Sequence, residues 1–297
     1  MRQLTAPVVM AGLVTAIAGS IAAPTAASQT VERPDITYAV VDGRPLQLDL
    51  YMPEGLTNPP LVVWVHGGAW RSGSRASVRR EFAEHGFATA SVDYRLSPEA
   101  AFPAMVHDIK AAIRYLRAHA GDYGYRADSI AIAGDSAGGH LAALVGVSSG
   151  VEALEGTVGT DLDASSAVQA IVDYYGASNL TTILQQSTPY GLDVRVPALE
   201  LLLGGVPEQV PDQARLASVT THVDKGDPPL LIFHGDQDPQ MPINQSHELE
   251  GAYAALGLDV DFIVLHGAGH GGDEFYSGPH LERAITFLQR TVGSGAP

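Results

Sequence analysis

Gly134-Asp135-Ser136-Ala137-Gly138-Gly139 constrains this chain more than any other stretch. It follows a short apolar run, Ser129–Ala133, and precedes a helix-forming run, Leu141–Val147. A serine in G-x-S-x-G between a strand and a helix sits on a turn so sharp that its hydroxyl points into open space. Gly134 and Gly138 supply the room for the backbone to fold back on itself. The following helix puts its N-terminus, with unpaired N–H groups and partial positive charge, behind the serine, where an oxyanion would be stabilised. The motif is short enough to arise by chance as a plain small-residue turn, so the rest of the chain must supply what such a serine needs.

The surrounding pattern alternates strands with helices. Ile36–Val41 and Leu46–Tyr51 alternate in period two around Asp42-Gly43-Arg44 and read as an antiparallel hairpin. Leu61–Val65 is a continuous apolar run, as expected of a strand covered on both faces, Ala170–Tyr174 reads as another buried strand, and Ala88–Val92, Ile130–Ala133, Leu230–Phe233 and Val260–Leu265 complete the strands. Helices are expected at Ser77–His85, from Pro103 to Ala120, after the serine, at Asn244–Leu256 and at His280–Val292. Eight strands and intervening helices predict an α/β fold, with a mostly parallel eight-stranded sheet and helices on both faces. Residues 176–227 break the rhythm with scattered prolines, Gly204-Gly205 and a short apolar helix around Ala198–Leu203. They are expected to form a small cap inserted into one catalytic domain, residues 28–297.

Composition removes several classes of function. With 45% hydrophobic and 17% charged residues, the 297-residue chain can bury a large core. Its net charge is −16 and its only lysines are Lys110 and Lys225. No basic patch is available for nucleic acid, and the acidity disfavours polyanionic substrates in general. The absence of cysteine excludes disulfides, thiolate metal sites and a cysteine nucleophile. No histidine spacing suggests a metal, and no cofactor is expected.

Residues 1–27 read as a secretory signal: Arg2, a mostly apolar or small Pro7–Ile21, then Thr25-Ala26-Ala27 at a cleavage site. The competing reading is an uncleaved anchor, because the apolar run approaches spanning length. Gly12, Gly19 and Pro24 interrupt it and no basic stop follows, which favours cleavage and an exported, extracellular or periplasmic protein without stable membrane insertion.

An activated serine needs a base and a group that orients the base. Of the histidines after Ser136, His270 lies in Gly267-Ala268-Gly269-His270-Gly271-Gly272, a flexible loop past the last apolar strand. His266 is nearer that strand and more stiffly placed. Asp236 and Asp238 both follow Leu230–Phe233. Asp236 fits a turn-shaping role, and Asp238, farther into the loop, can turn back toward the histidine. Asp238 is expected to hold the imidazole tautomer. Backbone N–H donors for an oxyanion are expected from Ala137, after the serine, and from His66-Gly67-Gly68-Ala69-Trp70. Asp135 is expected to brace the turn, Asp93 and Arg95 to belong to an ion-paired scaffold, and His140 to be a satisfied interior histidine. Tyr174, Tyr175 and Tyr190 could stack on a sugar or aromatic acid, or equally pack.

Taken together, His66–Trp70, Asp93–Ala100, Gly134–His140, His234–Pro242 and Gly267–Gly272 resemble a carbohydrate-esterase-type α/β-hydrolase. The similarity is to the acetylxylan and feruloyl esterase-like group near the hormone-sensitive-lipase family. It implies a Ser136–His270–Asp238 triad, oxyanion donors at Gly68, Ala69 and Ala137, and Trp70 bordering the acyl site; of the tyrosines near the cap, Tyr175 is the candidate substrate contact. It also implies hydrolysis of short-chain or aryl carboxylic esters, small or linked to polysaccharide. Hormone-sensitive-lipase relatives usually carry His-Gly-Gly-Gly, whereas Ala69-Trp70 follows the pair here. His-Gly-Gly-x-Trp is also similar to kynurenine formamidases, so an amide hydrolase or peptidase competes, as does a non-catalytic binding module.

Overall fold

Eight strands, joined in the order β1-β2-β4-β3-β5-β6-β7-β8, make one sheet in the computed structural model, which describes Met1 and residues 29–293. The expected signal segment, residues 1–27, lies almost wholly outside the described residues. The strands are β1 (Thr30–Val41), β2 (Arg44–Pro53), β3 (Leu61–Val65), β4 (Ala88–Val92), β5 (Ile130–Asp135), β6 (Ala170–Tyr174), β7 (Leu230–Gly235) and β8 (Val260–Leu265). β1 and β2 form the expected hairpin, β2 pairs antiparallel with β4, and every other pairing is parallel. This is the α/β-hydrolase fold.

Alternation along the strands divides the core into two layers. Leu61, Val63, Val65, Ile130, Ile132 and Ile232 face one layer, with α1 (Ala104–Ala118), α2 (Ala137–Val147) and α4 (Asn244–Leu256) packed on it. Between α2 and α4 the chain forms α3 (Pro189–Leu203). Val62, Trp64, Ala131, Ala133, Val172 and Phe233 face the other layer, closed by α5 (Gly278–Leu288). All five residues of β3 are buried, because a central parallel strand has no solvent face.

Two helices differ from the sequence pattern. The Ser77–His85 helix is a single turn at Glu81–Glu84, preceded by a 3-10 turn at Arg75–Ser77. The helix expected near Ala198–Leu203 is fifteen residues long, because Pro189 occupies its first turn and Thr188 caps it by accepting from the Gly191 N–H at 2.9 Å. Pro197 lies inside it and hid it from a periodicity reading.

The sheet positions its loops by connectivity. From β3 the chain crosses to β4 on one side and then to β5 on the other, so the loops after β3 and β5 diverge at a switch point. There α2 lies hard against β3: a Cβ on Gly138 would sit 2.1 Å from the Val65 carbonyl oxygen and 2.6 Å from that of His66. Both obstacles are backbone and cannot swing aside. Gly138→Ala is therefore expected to cost ~3 kcal/mol or more. A thermal midpoint within ~2 °C of wild type would show that α2 is not pressed onto β3.

Candidate active site

Ser136 joins β5 to α2 with φ 53° and ψ −117°, a backbone state that L-residues rarely adopt and one expected of a strained nucleophile turn. Its N–H donates to the Tyr174 carbonyl at 2.8 Å and its carbonyl accepts from His140 N–H at 3.0 Å, so the turn is held from both sides. Ser136 Oγ lies 2.8 Å from His270 Nε2, and His270 Nδ1 lies 2.6 Å from Asp238 Oδ2. The Asp238 side chain is fully buried and that of His270 is 12% exposed.

Asp238 is surrounded by donors. Its Oδ1 accepts from the Gln240 and Met241 N–H groups, each at 2.8 Å. Its Oδ2 also lies 3.4 Å from Nε2 of buried His234, which donates to the Met241 carbonyl while His234 Nδ1 accepts from Ser246. Burial pushes the Asp238 carboxyl up, but the hydrogen bonds from His234 and His270 and the charge of His270 outweigh it, leaving it well below the usual carboxylate range. With that carboxylate ionised, His270 carries its proton on Nδ1 and offers Nε2 as an acceptor to Ser136. The other two candidates pair with each other instead. Asp236 accepts from Gly267 N–H at 2.7 Å and lies 2.8 Å from His266, which is 85% exposed.

The loop after β3 presents backbone N–H groups. Gly68, Ala69 and Trp70 have φ of 111°, 51° and 59°, and a Cβ on Gly68 would sit 2.1 Å from the Ser72 carbonyl. Among the described residues no acceptor is found for the N–H groups of Gly68, Ala69 or Ala137, while Gly67 N–H donates to Asp135 at 2.8 Å. Gly68, Ala69 and Ser136 line one cleft, and Ala137 opens α2 immediately behind. Asp135 thus braces this loop against the turn. Burial raises its carboxyl pKa, opposed by Arg79 and by the Gly67 N–H.

Trp70 does not face the cleft, contrary to the sequence expectation. Its side chain is wholly buried, its ring meets His140 edge-on at 5.3 Å, and its Nε1–H donates to His140 Nδ1 at 3.1 Å. A bulky residue at positive φ is strained, and this anchorage, with Ser97 N–H donating to the Trp70 carbonyl at 2.8 Å, holds the loop in place. His140 Nε2 donates to the Ala217 carbonyl at 2.7 Å, so the imidazole is neutral, with both nitrogens committed.

Burial lowers the His140 pKa from 6.5 to about 4. Its folded value lies below its unfolded one, so below pH 6.5 the unfolded chain binds a proton that the folded chain refuses. Stability is lost as pH falls from about 6.5 toward about 4, approaching a total of ~3 kcal/mol from this residue. His140→Gln, which retains an acceptor and a donor, is expected to flatten this dependence. Urea titrations at pH 7 and 5 check it, and parallel losses in the two proteins would disprove it.

The cleft has a volume of ≈ 640 Å³. Its walls include Ser136, His270 and Tyr175, whose ring meets His270 edge-on at 4.9 Å and whose hydroxyl lies 2.7 Å from that of Tyr276. Tyr174 is buried against Phe233, and Tyr190 is exposed. Arg71, Arg79 and Arg195 also line the cleft, a feature that no sequence motif signalled. Burial lowers the Arg195 pKa to about 10, which leaves it charged at neutral pH. Asp93 and Arg95 serve scaffolds, pairing with Arg75 and Asp108 respectively. Among the described residues no cluster of three or more histidines and carboxylates could hold a metal ion, and no helix is long and apolar enough to cross a membrane.

Residues 48–253 match the BD-FAE family model. The chain is 34% identical over 246 residues to Esterase LipC of Mycobacterium tuberculosis, covering 80% of this chain and 60% of that protein. It thus spans only about three-fifths of the length of that relative. Among solved structures it superposes on a truncated carbohydrate esterase from gut microbiota with a TM-score of 0.80 and 30% identity, covering 92% of this chain and 99% of the other. On a bifunctional GH43-CE protein of Bacteroides eggerthii the TM-score is 0.79 at 34% identity, covering 87% and 35% of the two chains. With the family match running from β2 through α4, across both the serine turn and the Asp238 loop, this chain belongs to the BD-FAE family of α/β-hydrolases.

Proposed function

We propose that this protein is a serine carboxylesterase acting on short-chain or aryl esters, including acetyl or feruloyl groups carried by plant polysaccharide. The observation that carries the reading is the continuous chain from Ser136 Oγ to His270 at 2.8 Å and from His270 to Asp238 at 2.6 Å. In this reading Ser136 attacks the ester carbonyl while His270 takes its proton. The tetrahedral oxyanion is held by the N–H groups of Gly68, Ala69 and Ala137. His270 then protonates the leaving alcohol, and the acyl-enzyme is hydrolysed by water that His270 deprotonates. Tyr175 fixes the face of His270 and borders the bound ester.

The similarity to a carbohydrate esterase and to Esterase LipC supports ester over amide substrates. Residues 176–227 act as a cap in this reading. They are tied to the Asp238 loop through Thr188, which donates to the Pro239 carbonyl at 2.7 Å, and to α4 through the Ser178 and Asn179 N–H groups, which donate to Gln245 at 2.9 and 2.8 Å. Residues 1–27 direct export, which suits an extracellular substrate.

Hydrolysis of p-nitrophenyl esters from acetate to decanoate, beside methyl ferulate, acetylated xylan and an N-formyl arylamide, tests the reading. Turnover highest at acetate, with acetyl release from xylan or cleavage of ferulate, is expected. A preference for long chains without polysaccharide activity would make it a general esterase. Activity on the formamide alone would replace the ester reading.

A further inference from the structure

Although the chain carries a net charge of −16, the cleft at Ser136 is lined by three arginines and one aspartate. Arg195, on α3, is 1% exposed. Its one hydrogen bond among the described residues runs from Nε to the Gln240 carbonyl at 3.4 Å, and its Nη1 is buried without a partner. Arg79, half-buried, lays its guanidinium 3.5 Å from the centre of the Tyr276 ring. Its Nε is also buried without a partner, and no ion pair to it occurs among the described residues. Several other guanidiniums among the described residues are matched: Arg75 by Asp35, Asp49 and Asp93, Arg95 by Asp108, and Arg117 by the carbonyls of Ala127, Ser165 and Ala167.

A guanidinium held out of water without an acceptor is unfavourable unless something else supplies one. The protein carboxylates whose charges act on these two arginines are already engaged, Asp135 by Gly67 N–H and Asp238 by His270 and the Gln240 and Met241 N–H groups. Arg79 is fixed relative to the reacting serine, because Tyr276 beneath it bonds Tyr175, which packs on His270. We propose that Arg79 and Arg195 together receive a carboxylate on the substrate, away from the scissile ester, so that the preferred substrates are acidic esters. The fork of a guanidinium matches a carboxylate in two parallel hydrogen bonds, and the burial of Arg195 strengthens the pairing. One arginine comes from the segment after β3 and the other from residues 176–227, so the bound carboxylate would join that insertion to the body. The proposal rests on the esterase reading. It narrows that reading to esters whose acyl or alcohol part is anionic.

Two matched substrate pairs test it. On the alcohol side, 4-acetoxyphenylacetate is compared with 4-acetoxyphenylacetamide. On the acyl side, the monophenyl ester of adipic acid is compared with phenyl hexanoate. In at least one pair, wild-type kcat/KM is expected to favour the carboxylate by about tenfold, the worth of one charge-assisted hydrogen bond. The pair that shows the preference identifies which part of the ester carries the charge. Arg195→Met and Arg79→Met should each cut the preference by about fivefold or more, and the corresponding Arg→Lys variants should retain part of it. If a variant does not fold, inhibition of the wild type by phenylacetate against phenylacetamide gives the same comparison, with phenylacetate stronger and weakened by salt. Ser136-dependent hydrolysis of the neutral esters with no carboxylate preference in either pair would overturn this proposal alone. A preference surviving both Met substitutions would do the same. No Ser136-dependent hydrolysis of any of the four would overturn the esterase reading itself.

Discussion

Ser136→Ala is expected to lower kcat on any ester substrate by ~10⁴-fold or more, with KM within a few-fold of wild type. The substitution removes the one oxygen placed 2.8 Å from His270 Nε2 and leaves the cleft, the arginines and the free N–H groups as they are. Residual turnover would come from binding and oxyanion stabilisation alone. Stability should be nearly unchanged, because the side-chain hydroxyl makes no hydrogen bond other than that to His270 among the described residues, and the backbone bonds to Tyr174 and His140 remain. Steady-state kinetics, a thermal melt and labelling by an organophosphate check this together. A folded variant that kept a tenth of wild-type turnover would remove Ser136 from the mechanism.

Asp238→Asn is expected to have a comparable effect on kcat, ~10⁴-fold, by a different route. Asn can still accept from the Gln240 and Met241 N–H groups at Oδ1, so the loop should keep its shape. That choice turns the amide NH2 toward His270 Nδ1, which must then accept, and Nε2 becomes the protonated nitrogen. Facing Ser136, a protonated Nε2 cannot take the serine proton. The substitution also costs stability. The Asp238 carboxyl titrates below its unfolded value, so it contributes stability at pH values above the unfolded pKa, and this is lost as pH falls through the folded one. At pH 7 the variant should therefore be less stable by ~1–3 kcal/mol, the worth of hydrogen bonds to a buried charge. The gap should narrow in acid, as the unfolded chain takes up a proton that the folded carboxylate still refuses. Denaturant titrations at pH 7 and pH 3 read the stability difference, and proton NMR of the imidazole reads the tautomer. Wild-type kcat in a folded Asp238→Asn protein would show that His270 needs no orienting acid.

Much of this was legible in the chain. β3, β4 and β6 begin and end where their apolar runs and flanking turns placed them, because buried parallel strands leave little freedom in composition, and the partly buried edge strand β8 and the helix α4 also keep the bounds read from the sequence. The serine turn, the Gly-Gly loop and the two loops carrying Asp238 and His270 were visible as small-residue segments at strand ends. The substrate contact expected of Trp70 came from the family resemblance, not from its place in the chain. Its ring is instead captured by His140, seventy positions away in the chain. The length of α3 was hidden because Pro189, Gly191 and Pro197 are poor helix residues in isolation, and Thr188 and the Asp238 loop sustain the helix.

By itself, then, the sequence determined the strand order in time, the covered sheet, the sharp serine turn and the residue types available to it, all of which follow from local periodicity and local steric demands. The tertiary structure brings the expected His270 and Asp238 together, and it alone shows His266 paired with Asp236. It alone also brought Arg79 and Arg195 to one cleft. Those partnerships depend on the sheet bringing loops separated by scores of residues to one end, and on burial, which decides whether a charge is screened by water or must find a partner.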